Sequence, residues 1–148
     1  MKISLYTDGA CSNNQSKENI GGWAYLLIYG AHKKHMSGRT LNTTNNAMEI
    51  KAIVEGLKAI KDPSIDVVVF SDSQYVVSTV NLGWKKNANQ ALWEELFAQI
   101  SRFKNITFTK VKGHASNEFN NFVDKLAVEE TKKVLKDWNS SIRTFFII

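Results

Sequence analysis

Val67-Val68-Val69-Phe70, followed at once by Ser71-Asp72, is the stretch on which the fold turns. A short, unbroken, β-branched run of this kind reads as a strand buried on both faces of a sheet, because a half-buried strand would alternate. Such a strand needs helices over the sheet, and one is visible just before it. Ile50, Ile53, Val54, Leu57 and Ile60 recur at i, i+3, i+4, i+7 and i+10 from about Asn46, and Asp62-Pro63 predicts its stop. Further upstream, Ile3 to Asp8 alternates as a strand. Gly21-Gly22 introduces the apolar run Trp23 to Tyr29, and a turn near Gly30-Ala31 leads into a third strand, which together make an antiparallel meander. Downstream come two helices, the second marked by Leu92, Leu96, Ile100 and Phe103. A strand from Ile106 to Val111 and a last helix carrying Phe119, Val123, Leu126, Ala127, Val134 and Trp138 complete the chain. The order βββαβααβα predicts an α/β domain with a mixed sheet, since a parallel pair needs a crossover and the helices supply it.

At 148 residues with 43% hydrophobic content, one core covers the chain, and a single proline and no low-complexity tract leave no sign of a linker. The formal charge of +5 comes from lysine, because Arg39, Arg102 and Arg143 are the only arginines, and it points to a polyanionic partner. No apolar run approaches the roughly 20 residues of a membrane span, and MKISLYTDGA lacks the basic start and apolar stretch of a signal peptide. A soluble, unsecreted, cytoplasmic protein is expected. Cys11 is alone, and His32, His35 and His114 have no metal-ligand spacing, so any metal must sit on carboxylates.

Four acids break the pattern. Asp8 ends an apolar strand, where an unpaired charge is costly. Asp72 closes the buried strand at its carboxyl end, where open α/β sheets place their ligands; the local alternative is that Asp72 or Ser73 caps the next helix. Glu49 has an alternative too, a capping-box variant in Asn46-Ala47-Met48-Glu49. Asp124 lies beside the apolar face of the last helix, where a solvated charge would be ordinary.

Taken together, Thr7-Asp8-Gly9-Ala10-Cys11, Thr43-Thr44-Asn45-Asn46-Ala47-Met48-Glu49, Ser71-Asp72-Ser73-Gln74-Tyr75-Val76, and Lys112-Gly113-His114 with Asn120 and Val123-Asp124-Lys125-Leu126-Ala127 resemble type 1 ribonuclease H. The resemblance runs from about Ile3 to Ala127. It implies the ribonuclease H-like fold, a five-stranded mixed sheet with three antiparallel strands first, over residues 1–137. Residues 138–148 are then a C-terminal tail that packs on the domain or docks a protein partner, because an exposed Phe145-Phe146-Ile147-Ile148 would invite aggregation.

Four oxygen donors without nitrogen or sulfur suit hard cations, Mg²⁺ or its substitute Mn²⁺, and hence a phosphodiester substrate. The resemblance implies a two-ion endonuclease that cuts the RNA strand of RNA–DNA hybrids and leaves 3′-hydroxyl and 5′-phosphate ends; a monomer is expected, although no residue pattern here specifies the oligomeric state. It assigns Asp8 to both ions, Glu49 and Asp72 to one and Asp124 to the other, and makes His114 a mobile residue that moves a proton or helps the cleaved phosphate leave. It places Asn14, Asn46 and Gln74 on the RNA strand, where a 2′-hydroxyl separates RNA from DNA, with Cys11 and Asn120 in the substrate set. Thr44 and Asn89 would hold a phosphate of the DNA strand.

Two departures qualify the resemblance. Asn42 stands where the family often has an arginine, which removes a bidentate phosphate contact. The stretch between Asp72 and Trp93 is too short for the basic protrusion of many bacterial members, leaving Trp84, Lys85 and Lys86 as a reduced hybrid-binding surface, with Lys110 and Lys112 as further candidates. A non-catalytic nucleic-acid-binding module is the alternative class, and cellular, phage and retroelement replication settings all share this chemistry.

Overall fold

The computed structural model describes residues 1–12, 19–83, 86, 88–113 and 117–147, with side chains described as far as 133. Nine elements follow in the expected order: β1 (Ile3–Cys11), β2 (Ile20–Tyr29), β3 (His32–Leu41), α1 (Asn45–Lys58), β4 (Val67–Ser71), α2 (Gln74–Leu82), α3 (Gln90–Ile100), β5 (Ile106–Lys110) and α4 (Glu118–Ile147). The five strands form one sheet in the order β3-β2-β1-β4-β5. β1 pairs antiparallel with β2 and parallel with β4, so the meander ends where the parallel half begins. None of the described helices is long and apolar enough to cross a membrane.

The larger core fills the α1, α2 and α3 side. Leu5, Ile50, Ile53, Leu57, Val67, Val69, Trp93 and Leu96 are fully buried there, and each aliphatic side chain contributes roughly 1.5–3 kcal/mol relative to exposure. On the other side Ala24, Leu26, Val123 and Ala127 form a smaller cluster under α4. The run at Val67 therefore behaves differently from expectation. Val67 and Val69 are buried, whereas Val68 and Phe70 are only half-buried, because α4 covers β1, β2 and β3 and leaves that face of β4 partly open. Phe70 compensates by stacking on Tyr6, with ring centroids 4.6 Å apart.

Boundaries shift in two places. α1 ends at Lys58 rather than at Asp62-Pro63, and Ile60 turns back into the core while the Asp62 carboxylate accepts from the Ser64 N–H in the following turn. Phe103, expected on the second of the middle helices, lies past the end of α3 but is buried in the same core. The expected packing or docking of residues 138–148 rests on side chains outside the described residues; the backbone of α4 continues through most of the segment.

Candidate active site

The site forms at the carboxyl ends of the parallel pair β1 and β4, as the sheet type requires. Asp8, Glu49, Asp72 and Asp124 line one open recess of about 430 Å³, together with Cys11, Asn45, Ser73 and Val128. Carboxylate oxygens of Asp8, Glu49 and Asp72 lie within 4.8 Å of one another. Asp124 joins from α4, close enough to act on Asp8. β1, α1, the turn after β4 and α4 thus each bring one acid.

Local chemistry accounts for each placement. Thr44 is the N-cap of α1, its hydroxyl accepting from the Ala47 N–H, so Glu49 is free of the capping role and turns inward. Its Oε1 accepts from the Gly9 N–H at 2.5 Å, and its Oε2 from the Ser71 hydroxyl at 3.5 Å. Gly9 is obligatory, because a Cβ there would fall 2.4 Å from the Glu49 backbone nitrogen. The same Gly9 N–H also donates to Asp8 Oδ1 at 2.9 Å. Ser73 caps α2 through the Val76 N–H, which leaves Asp72 to face the recess. The capping alternative is therefore correct for Ser73 and incorrect for Asp72 and Glu49.

Electrostatics make the cluster unstable as bare anions. Asp8 and Glu49 are each 3% exposed, and burial, then the neighbouring carboxylates, pushes the Asp8 carboxyl far above its ordinary range. Burial pushes Glu49 up as well, to about 7, against the lowering effect of its hydrogen bonds. Two full charges 4.8 Å apart repel by about 3.5 kcal/mol at an effective dielectric near 20. The site must hold protons or cations, and an all-oxygen donor set fits a hard divalent ion.

Other expected residues fare unevenly. Cys11 lines the recess, its thiol facing the Thr43 carbonyl at 3.6 Å. Asn46 is exposed on the first turn of α1, and the neighbour that lines the recess is Asn45, which the sequence reading passed over although it sits one turn ahead of Glu49. Gln74 is exposed and donates to the Ser78 hydroxyl. Asn89 begins α3 in a left-handed conformation, φ 61°, with no capping bond from its side chain. Lys86 lies over the Phe97 ring, and Lys110 and Lys112 are exposed. Asn120 is buried, 1% exposed, with neither amide atom hydrogen-bonded among the described residues. Asn14, Trp84, Lys85 and His114 lie outside the described residues. Gly113, just before His114, abuts Asp72, whose Oδ2 would be 3.1 Å from an added Cβ. Ser71 and the Gly9 amide were missed, and only their places next to Asp72 and Asp8 could have signalled them.

Residues 1–132 match the family model described as RNase H. The chain is 46% identical over 149 residues to the Ribonuclease H of Caldanaerobacter subterraneus subsp. tengcongensis, covering 91% of this chain and 94% of that protein. Among solved structures it is similar to LC9-RNase H1, a type 1 RNase H with the type 2 active-site motif, at 27% identity and a TM-score of 0.69, covering 88% of this chain and 72% of that one. The N-terminal RNase H domain of a Mycobacterium tuberculosis protein shares the fold, with a TM-score of 0.77 at 20% identity over 92% of this chain and 97% of that one.

Proposed function

The chain belongs to the RNase H family, and from that premise we propose that it is a metal-dependent endonuclease that hydrolyses the RNA strand of RNA–DNA hybrids, leaving 3′-hydroxyl and 5′-phosphate ends. The observation that carries the reading is the carboxylate cluster, three buried or half-buried acids within 4.8 Å and a fourth on the same recess. In this reading Asp8, Glu49, Asp72 and Asp124 hold two divalent ions, Mg²⁺ or Mn²⁺ in its place. Such ions supply a water acidic enough to attack at neutral pH and neutralise charge on the departing oxygen.

The chain's own groups do the rest. The Gly9 N–H aims Asp8 and Glu49 at the same point, and the Ser71 hydroxyl fixes the second Glu49 oxygen. Asn45, Asn46, Gln74, Asn14 and Cys11 form the surface that meets the RNA strand, where amides can both donate to and accept from a 2′-hydroxyl. Thr44 and Asn89 hold a phosphate of the DNA strand, and His114 handles a proton. The test is direct. Labelled RNA–DNA hybrid, RNA duplex and DNA duplex are incubated with Mg²⁺, and only the RNA of the hybrid should be cut. Cleavage of DNA, or binding of hybrid without cleavage, would overturn the reading. Asp8→Asn and Asp72→Asn should each lower turnover by several orders of magnitude, and wild-type rates in either would refute the ligand assignment.

A further inference from the structure

We infer that Glu130 is a positioning residue that fixes the roll of α4 about its own axis and so holds the Asp124 carboxylate in register with Asp8; the inference rests on the ligand role proposed for Asp124. Glu130 is 5% exposed, and both its oxygens are engaged by the edge strand β3: Oε1 accepts from the Ser37 hydroxyl at 3.1 Å and Oε2 from the Arg39 guanidinium at 3.2 Å. Lys133 adds a weaker contact at 3.8 Å.

The geometry follows from helix periodicity. Asp124, Ala127 and Glu130 are spaced by three, so successive members turn about 60° around the axis in the same sense. Ala127 sits in the middle, against β2: a Cβ on Gly22 would fall 2.1 Å from the Ala127 carbonyl oxygen and 3.0 Å from Glu130 Cβ. Asp124 then flanks it on the β1 side, facing the recess with Asp8, and Glu130 flanks it on the β3 side. The bare contact at Gly22 acts as a pivot, because glycine offers no side chain to resist rotation. Apolar packing of Val123 and Ala127 is non-directional and tolerates roll as well. The paired bonds of Glu130 are directional, and they oppose rotation on the flank away from the carboxylates. A carboxylate about 5–6 Å from the helix axis moves by about 1 Å for each 10° of roll. Displacements of that size are enough to cost a hundredfold in rate when they misplace a reacting group.

The experiment compares Glu130→Ala and Glu130→Gln with the unaltered chain, with Asp124→Asn beside them. Three quantities are read: calorimetric titration of Mn²⁺ without substrate, kcat and KM on a hybrid, and the thermal midpoint in chelator. Glu130→Ala should weaken Mn²⁺ binding several-fold and lower kcat at least tenfold with KM little changed, and Glu130→Gln, whose carbonyl oxygen can still accept from Arg39 while its NH₂ donates to the Ser37 hydroxyl oxygen, should recover most of both. Ser37→Ala, which removes one bond only, should fall between and covers the case in which Glu130→Ala does not fold. A lowered midpoint with unchanged Mn²⁺ binding and kcat would overturn the inference, because Glu130 would then be structural alone. Retained binding and cleavage in Asp124→Asn would instead remove the premise that Asp124 is a ligand.

Discussion

At the scale of single residues, the site is defined by acids that cannot all be charged without a partner. Asp8 and Glu49 have folded-state affinities for protons raised above those of free carboxyls, Glu49 to about 7, chiefly by burial. The metal-free folded state therefore binds more protons than the unfolded chain above about pH 4, and stability is lost as pH rises from there, through about 7 for Glu49 and further still for Asp8. A divalent ion replaces those protons, so its stabilising effect should grow over the same interval. Urea unfolding at pH 5 and pH 8, in chelator and in Mg²⁺, checks this: the chelated protein should be weaker at pH 8, and Mg²⁺ should close most of the gap. Asp8→Asn should raise metal-free stability at pH 8, because it removes a buried carboxyl that must take up a proton on folding. Stability in chelator that is flat or rises with pH would contradict the argument. The acids were legible as a set rather than singly: all but Asp8 had an ordinary local reading, a cap for Glu49 and Asp72 or a solvated charge for Asp124, and the four stood out only through the joint resemblance of their motifs to type 1 ribonuclease H. The amides were less so: Asn45 and Asn46 are equivalent as letters, and only the 100° turn between successive helical residues, set by where Thr44 starts the helix, decides which one lines the recess. The burial of Asn120 was equally illegible, because a sequence motif does not reveal burial.

At the scale of elements, caps decide where the acids point. Thr44 and Ser73 each end a loop and begin a helix, and each thereby releases the acid near it, Glu49 in one case and Asp72 in the other. Ser73→Ala should cost about 1 kcal/mol of stability, the usual worth of an N-cap, and should slow cleavage by loosening the start of α2 beside Asp72. Thr44→Ala should cost a similar amount and also weaken hybrid binding, because its exposed hydroxyl lies on the proposed substrate face. Denaturant midpoints and KM on a hybrid separate the two effects: a Thr44→Ala protein with reduced stability and unaltered KM would confine Thr44 to capping. Most of the elements were legible from hydrophobic period, since period is a property of faces, whereas the largely exposed β3 was signalled only by the turn at Gly30-Ala31. What period could not show was that α4 covers only β1 to β3, leaving Val68 and Phe70 half-buried, because coverage depends on how a helix is placed over a sheet.

At the scale of the whole molecule, charge sets how the protein meets a polyanion. Two bound divalent ions add four charges to the +5 of the chain and make it +9, with the added charge concentrated in the recess. The lysines are less favourably disposed. Lys33 and Lys34 pair with Ile28 and Leu27, which lie opposite Ser4 and Leu5, so they stand at the end of the sheet away from Asp8, about 10–13 Å along the strand direction and two strands over. Lys110, by contrast, pairs with Ser71 at the carboxyl end of β4, and Lys112 follows it just ahead of Gly113, which touches Asp72. Among the described residues few basic side chains therefore flank the site, and log affinity for a hybrid should fall with log salt by only a few units, at about 0.9 per phosphate contact on a B-form duplex as a guide. Lys110→Ala with Lys112→Ala should reduce that slope by about 1 to 2, whereas Lys33→Ala with Lys34→Ala should leave it unchanged. Filter-binding titrations in Ca²⁺ over a range of KCl concentrations measure both. If the second pair flattens the slope instead, the duplex crosses the opposite end of the sheet, and the recess cannot be where its backbone is held.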